Sequence, residues 1–587
     1  MCASRPEQRV PIGFRDLGAA AVLYTFITAV ATWPLLLHFR DRVPGAEWWH
    51  SQKFLPESLI NLWNLWWFRY ALLELGQDPF DGTYILHPFG ANLWFHTLAP
   101  LHGLIGIVLQ TFVSLTVTQN LMLLFDLVMA GVCTFALALH LGLGRAPALV
   151  AGGIYAFSPT VFAHLFAGHY ELIATYWLPA MLLSFLRLID LPVPRPWDAA
   201  VLGLLFVGAA YSSQYYCVYG VELLIVAAIV RGRRTLRPAT LRAFAVTAVI
   251  VLIGWGPLLW AFMGASAPRL DAGGEAFADF DHHSGDGIGF FVPPFTHPLL
   301  AEPLGATHER LNPPGCYPQE TTTYVGWVVL GLALLGAVAR WRAREPLRLL
   351  LAVALVFSVL SLGSHLRIYG SMTGIPLPGL LLEQLPLLRL ARAPGRHIVV
   401  AMLGFAMLAA AGWQQLRPAW LGWPVLALLA FDFAALPVPS VSTQVAPVYH
   451  RLAEVPGDFA ILEVPLSVRD GHGGGGVADN RQIFAQTVHH HRIVSGMVSR
   501  IPEEKWQVLV DAPIVGTLLR PDLANAQTLR RDRAEGPAFV SRWAIDAVVV
   551  QASASGTPWE RYLESVLPIR SRERFADGTQ LLWLRDP

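Results

Sequence analysis

Between Pro56 and Gly76 the chain reads PESLINLWNLWWFRYALLELG, and it mixes groups that can do chemistry with groups that anchor. Glu57, Asn61 and Asn64 fall on one face at helical spacing, with Arg69 further along, interleaved with Trp63, Trp66, Trp67 and Phe68. A carboxylate held against indole rings loses hydration, its pKa rises, and it can serve as a general base. The same Pro56-Glu57 pair is also a good first helical turn, because carboxylates favour the positive helix end. A wet face of carboxylate and amides opposite an oily aromatic face predicts a helix lying in a membrane interface, with indoles at headgroup depth.

Three further clusters carry ionisable groups. Gly168, His169 and Glu171 sit in a turn, AGHYELIATYW, where an imidazole beside a carboxylate can orient a base or donate to phosphate. In DFDHHSGDGIGFFVPPFTHP, Asp279, Asp281, His282, His283 and Asp286 offer oxygen and imidazole donors for Mn or Mg, or simply solvate a loop. LLRLARAPGRHI brings Arg389, Arg392, Arg396 and His397 together just before an apolar run. Guanidinium pairs there can clamp a phosphate, or meet lipid headgroups.

The elements that must position these groups follow from composition. Of 587 residues 54% are apolar and only 14% charged, well short of a soluble domain. The chain is thus expected to be a polytopic membrane protein. Net charge is +1, so no nucleic-acid partner is indicated. Of the 4 cysteines, Cys133 and Cys217 fall in apolar runs and Cys316 in a loop, which gives no disulfide framework. The basic N-terminus MCASRPEQRVPIGFR leads into a first span at 17–39 without a cleavage site, which places its start in the cytoplasm.

Whether 98–118 crosses decides the topology. If it does not, the basic loop clusters, including Arg231, Arg233 and Arg234, and Arg340, Arg342 and Arg344, all fall on the cytoplasmic side. The segment is therefore expected to be re-entrant or interfacial. Spans follow at 119–140, 146–165, 170–187, 198–212, 215–230, 243–265, 323–340, 347–363, 397–412 and 418–436, about eleven with the first. The expected domains are a transmembrane unit, 1–436, with external loops 40–118 and 266–322, and an extracytoplasmic soluble α/β domain, 437–587. In that tail FAILEVPL, AIDAVVVQ and LLWLRDP read as strands and EEKWQVLVDAPIVGTLL as helix. HGGGG at 472–476 reads as a flexible loop, and the consecutive His489, His490 and His491 as surface or strand residues. Asp126, Glu222, His140 and His164 lie in or near spans, where such groups can line a proton or ion path.

With these residues in view, the chain resembles the GT-C class of integral-membrane glycosyltransferases, in a little-characterised bacterial branch. The matching stretches are Glu57 to Leu72, DPFDGTYILHPFG at 78–90, AFSPTVFAHLFAGHYELIATYWLP at 156–179, GFFVPPFTHPL at 289–299, ETTTYVGW at 320–327 and LPLLRLARAPGRHIVV at 385–400. Such relatives usually carry Asp where Glu57 stands. The resemblance covers roughly residues 15–436 and, more weakly, the tail. It implies a GT-C-like bundle in the bacterial cytoplasmic membrane, with a polyprenyl-phosphate-linked sugar donor. It also implies inverting transfer to an acceptor glycan, lipid or protein at the outer face, Glu57 as general base and no cofactor. Asn61, Asn64, Arg69, His169, Glu171, Arg392 and Arg396 are the expected substrate-binding residues, and Arg392, Arg396 and His169 would neutralise the leaving phosphate. No Asp-x-Asp pair opens the first loop, so no metal ligand is assigned. A transporter or flippase of a lipid-linked glycan, or a scaffold of cell-envelope assembly, are the alternative readings.

Overall fold

The computed structural model describes residues 13–49, 52–53, 57–94, 96–264, 281–312, 316–339, 344–384, 393–470 and 473–585. Arg389, Arg392 and Asp279 lie outside the described residues.

Each expected span has an apolar helix: α1 (Phe14–Ala31), α4 (Leu115–His140), α5 (Arg145–Ala156) with α6 (Pro159–Ala167), α7 (Trp177–Asp190), α8 (Pro196–Ser212), α9 (Gln214–Arg231), α10 (Pro238–Gly264), then 327–339, 344–361, 398–413 and 422–432. Among the described residues seven are long and apolar enough to cross a membrane, and the protein is a multi-pass membrane protein. The remaining shorter apolar helices, such as Trp327–Ala339 and Leu347–Ser361, pack in the same bundle. The 98–118 segment forms α3 (Pro100–Leu109), ten residues, which at 1.5 Å per residue gives about 15 Å, half of a bilayer core. It begins where Pro100 supplies a ready-made first-turn φ, and the chain turns again before Ser114 caps α4 through Val117 N–H.

The polar stretch at 57–70 forms α2 (Ser58–Tyr70), and its surroundings overturn the picture of a half-wet interfacial helix. Every residue from Ser58 to Phe68 is buried, including Asn61 and Asn64. The aromatic face does not meet headgroups; it forms part of the core of the C-terminal domain. Trp63 and Trp67 lie parallel with ring centroids 5.6 Å apart, Trp66 and Tyr70 pack on His490, and Trp63 Nε1–H donates to Gln486 at 2.7 Å. Each indole removes roughly 200 Å² from water, on the order of 5 kcal/mol as an upper bound. Both are fully buried, so α2 is clamped between bundle and tail.

The tail closes over this helix. Its five-stranded sheet runs 492–493, 460–464, 545–550, 580–583, 571–574 in spatial order, with parallel pairing among the first three and antiparallel pairing at 545–550, 580–583 and 571–574. Strand 440–442 pairs with 42–44, and Tyr84, Leu86 and His87 bond the backbone of Ile493 and Ser495. The glycine run differs from its reading as a loop: Gly473–Gly476 is a strand paired antiparallel with 467–470. The helix read across 503–519 breaks into 503–511 and 515–519 around Pro513.

Candidate active site

Glu57 stands at the start of α2, where the 167–168 turn and α4 fix it. Its N–H donates to Ala167 O at 3.1 Å, Asn61 Nδ2 donates to Gly168 O at 3.0 Å, and Gln119 Nε2 donates to Ser58 O at 3.1 Å. Gly168 has φ +78°, and a Cβ there would lie 2.5 Å from Ser58 N. Only glycine both ends α6 in the left-handed conformation and lets α2 approach so closely.

The turn that Gly168 makes delivers His169. Its Nε2 lies 3.5 Å from Glu57 Oε1, and its Nδ1 lies 3.1 Å from His164 Nδ1 and 3.7 Å from Glu320 Oε1. Glu320 comes from the short helix Pro318–Thr321, and both its oxygens accept from Arg396, at 2.5 Å each. The Arg396 guanidinium lies 4.4 Å above the Tyr215 ring. Next to it His397 Nε2 lies 3.1 Å from Glu222, so consecutive residues of one turn each engage a carboxylate. The result is an alternating chain of Glu57, His169, Glu320 and Arg396. It is deeply buried except at Glu57, whose side chain keeps 31% exposure.

Electrostatics follow from this order. Burial raises the Glu57 pKa, but the His169 imidazolium beside it outweighs burial and leaves the carboxyl below its ordinary value. The expectation of an indole-raised pKa is thus overturned, because the carboxylate faces a cation and the indoles face the tail. His169 shows the counterpart: burial lowers it, Glu57 and then Glu320 raise it, and it is pushed up to about 9. Burial also raises Glu320, and the bidentate Arg396 more than reverses this, holding it well below the carboxylate range. With both His169 nitrogens protonated, His164 Nδ1 must accept.

The other sequence-predicted residues divide. Glu171 is buried two residues past His169, its Oε2 has no hydrogen-bond partner among the described residues, and with Asn61 and Asn64 it lines a small pocket. Asn64 Oδ1 meets His96 Nε2 at 3.0 Å and its Nδ2 donates to Thr97 O. Arg69 lies about 18 Å along the helix from Glu57 and sits 3.6 Å from Glu74, apart from the cluster. Arg396 is engaged by Glu320 instead of presenting an open phosphate clamp. Sequence reasoning missed Glu320 as a site residue. Its only signal was its place at the head of the ETTTYVGW stretch.

His164, His169 and Glu320 offer donor atoms within 4.8 Å of one another, a possible metal set. They do not fit a divalent cation as arranged, because Glu320 spends both oxygens on Arg396 and a guanidinium already occupies the cation's place. Asp281 and Asp286 are likewise spent on loop structure. Asp281 accepts from Ser364 N–H and pairs with His365, while Asp286 accepts from Ile288, Tyr369 and Gly370 N–H. His489 Nδ1 accepts from His491 N–H, and the His490 and His491 rings contact backbone carbonyls, so this run is structural. Asp126 pairs with His102 of α3 at 3.4 Å.

No known family model matches the chain, and no curated protein matches it in sequence. Solved structures do. The arabinofuranosyltransferase AftD from Mycobacteria superposes with a TM-score of 0.59 at 15% identity, over 100% of this chain and 41% of that one. The oligosaccharyltransferase AglB from Archaeoglobus fulgidus, in complex with an inhibitory peptide and a dolichol-phosphate, gives 0.51 at 10% identity over 92% and 69%. The chain therefore spans less than half the length of AftD.

Proposed function

From the fold that it shares with GT-C membrane glycosyltransferases, we propose that this chain transfers a sugar from a polyprenyl-phosphate donor to an acceptor hydroxyl at the outer face of a bacterial cytoplasmic membrane, with Glu57 as general base. The observation that carries the reading is the buried chain Glu57–His169–Glu320–Arg396, which reaches solvent at its carboxylate end. A bundle has no structural need for four charged groups in series, since each must be desolvated. The dolichol-phosphate bound to AglB supports a lipid-phosphate donor for this fold.

In the proposed step the acceptor O–H proton passes to Glu57 while the oxygen bonds to the anomeric carbon. The bond from that carbon to the phosphate oxygen breaks, its electron pair leaves with the lipid phosphate, and configuration inverts. The depressed pKa makes Glu57 a weaker base but keeps it fully ionised at neutral pH. Once Glu57 is neutralised, His169 and Arg396 outweigh Glu320 by one positive charge, which favours departure of an anion. His169 and Arg396 act on the phosphate through this net charge, while Asn61 and Glu171 border the adjoining cavity.

The test is transfer from a polyprenyl-phosphate sugar in membranes holding the full chain. Glu57→Gln keeps size and hydrogen bonding but removes the base, and should lower the rate by about 10²- to 10⁴-fold. Glu57→Asp should retain part of the activity. Wild-type transfer by Glu57→Gln would remove Glu57 as base.

A further inference from the structure

Across the Arg396 turn from the catalytic chain, the external loop brings a different donor set together. His282 and His283 lie in a turn that puts their ring centroids 4.8 Å apart, where on a strand they would point to opposite faces. Cys316, more than thirty residues on, returns to this turn and its thiol contacts the His282 carbonyl. One donor atom from each of His282, His283 and Cys316 lies within 4.8 Å of the others, and all three residues are half-buried. Ligand atoms around a tetrahedral zinc sit about 3.3–3.8 Å apart given metal–ligand lengths near 2.0–2.3 Å. Side-chain movements of about an ångström would close that gap.

We propose that His282, His283 and Cys316 form a binding site for a thiophilic divalent cation of the zinc type. The donor chemistry selects the ion: one thiolate and two imidazoles suit borderline-soft zinc and not the oxygen-seeking magnesium or manganese. Binding takes the thiol proton from Cys316, forms the sulfur–metal bond, and releases that proton to solvent. Cys133 and Cys217 lie within bundle helices, and Cys316 is the cysteine that the external loop brings to the two imidazoles.

The site has a structural consequence. His283 O accepts from Gly395 N–H at 3.1 Å, and Tyr317, next to Cys316, stacks on the His283 ring at 5.6 Å. The cation ties the two ends of the 281–317 loop to each other and, through Gly395, to the turn that carries Arg396.

The experiment uses the purified full chain in detergent, stripped with chelator and dialysed against zinc, with bound metal measured by mass spectrometry. About one equivalent is expected in wild type, lost in the near-isosteric Cys316→Ser and in His283→Ala, and kept in Glu320→Gln. Cobalt in place of zinc should give a thiolate-to-metal charge-transfer band that Cys316→Ser lacks, and zinc should protect Cys316 of the wild type from maleimide. The last two readouts need no histidine variant, so misfolding of His283→Ala does not decide the outcome. Full zinc binding by Cys316→Ser, or no zinc and no maleimide protection in wild type, overturns the proposal. Zinc lost from Glu320→Gln but kept by Cys316→Ser would move the ion to the His164 and His169 cluster, and also overturns it.

Discussion

Glu320 at the end of the bundle and Glu463 in the tail sheet are both nearly removed from solvent, at 5% and 0% exposure. Burial pushes both carboxyls up, yet Glu320 is held well below the usual range and Glu463 is pushed up to about 8. The difference is the partner. Glu320 meets the Arg396 guanidinium, whereas among the described residues Glu463 accepts only from neutral groups, Tyr449 Oη at 2.8 Å and Gln551 Nε2 at 2.8 Å. A cation supplied by a distant segment keeps a buried acid charged, and neutral donors cannot match that. Charge kept inside the fold at such cost is what marks the bundle end as the site where chemistry is proposed.

Five variants divide the two regions by their effect on sugar transfer. The largest loss is expected from Glu57→Gln, by about 10²- to 10⁴-fold. Arg396→Met should follow at about 100-fold in transfer, and because it strands the Glu320 charge it should also cost about 3–5 kcal/mol of stability, measured by denaturation in detergent. Glu320→Met with Arg396→Met should restore most of that stability and none of the transfer. Recovery of both in the double variant would make the pair structural only. Gly395→Ala acts more mildly on the same turn. Its Cβ would lie 2.1 Å from Glu320 O and 3.0 Å from His283 O, so the turn must shift. Overpacking of this kind costs about 1–3 kcal/mol, and displacement of Arg396 should lower transfer by about tenfold.

The same contrast explains what the sequence could disclose. Hydropathy and loop charge located the helices, because a bilayer demands long apolar runs whatever their neighbours are. The α3 segment was set apart from the spans by loop charge, because an extra crossing would have moved the basic clusters outside, and its helix has ten residues. Glu57, His169 and Arg396 stood out as ionisable groups in apolar surroundings, and the structure gathers them. Partner choice was not legible. Helical period says which residues share a face, not what covers that face, and an indole stripe reads alike under headgroups or under a protein domain. That ambiguity hid the tail behind α2, where Trp63 bonds Gln486 across 423 residues. It also reversed the Glu57 pKa, since the dominant neighbour, His169, is 112 residues away in sequence, from 57 to 169. Glu320 stayed hidden for the same reason: a lone carboxylate before a span looks like a helix start until Arg396 is seen on it.

Glu463→Gln should have the smallest effect on transfer, within about twofold of wild type, because it leaves every group at the bundle end unchanged. Its signature lies in the pH dependence of the tail instead. Glu463 titrates near 4.5 when unfolded and is pushed up to about 8 when folded, so between those values the folded state holds a proton that the unfolded state has released. Folding stability from this group is complete below pH 4.5 and is lost as pH rises toward 8, since the unfolded state binds fewer protons throughout that window. A glutamine keeps a donor and an acceptor for Tyr449 and Gln551 but has no proton to lose. Hydrogen exchange of strand 545–550, corrected for the intrinsic pH effect on amide exchange, should therefore show wild-type protection falling from pH 5 to pH 8 while the variant stays level. Parallel curves for the two proteins would mean that Glu463 is charged in its sheet, and the contrast with Glu320 would then disappear.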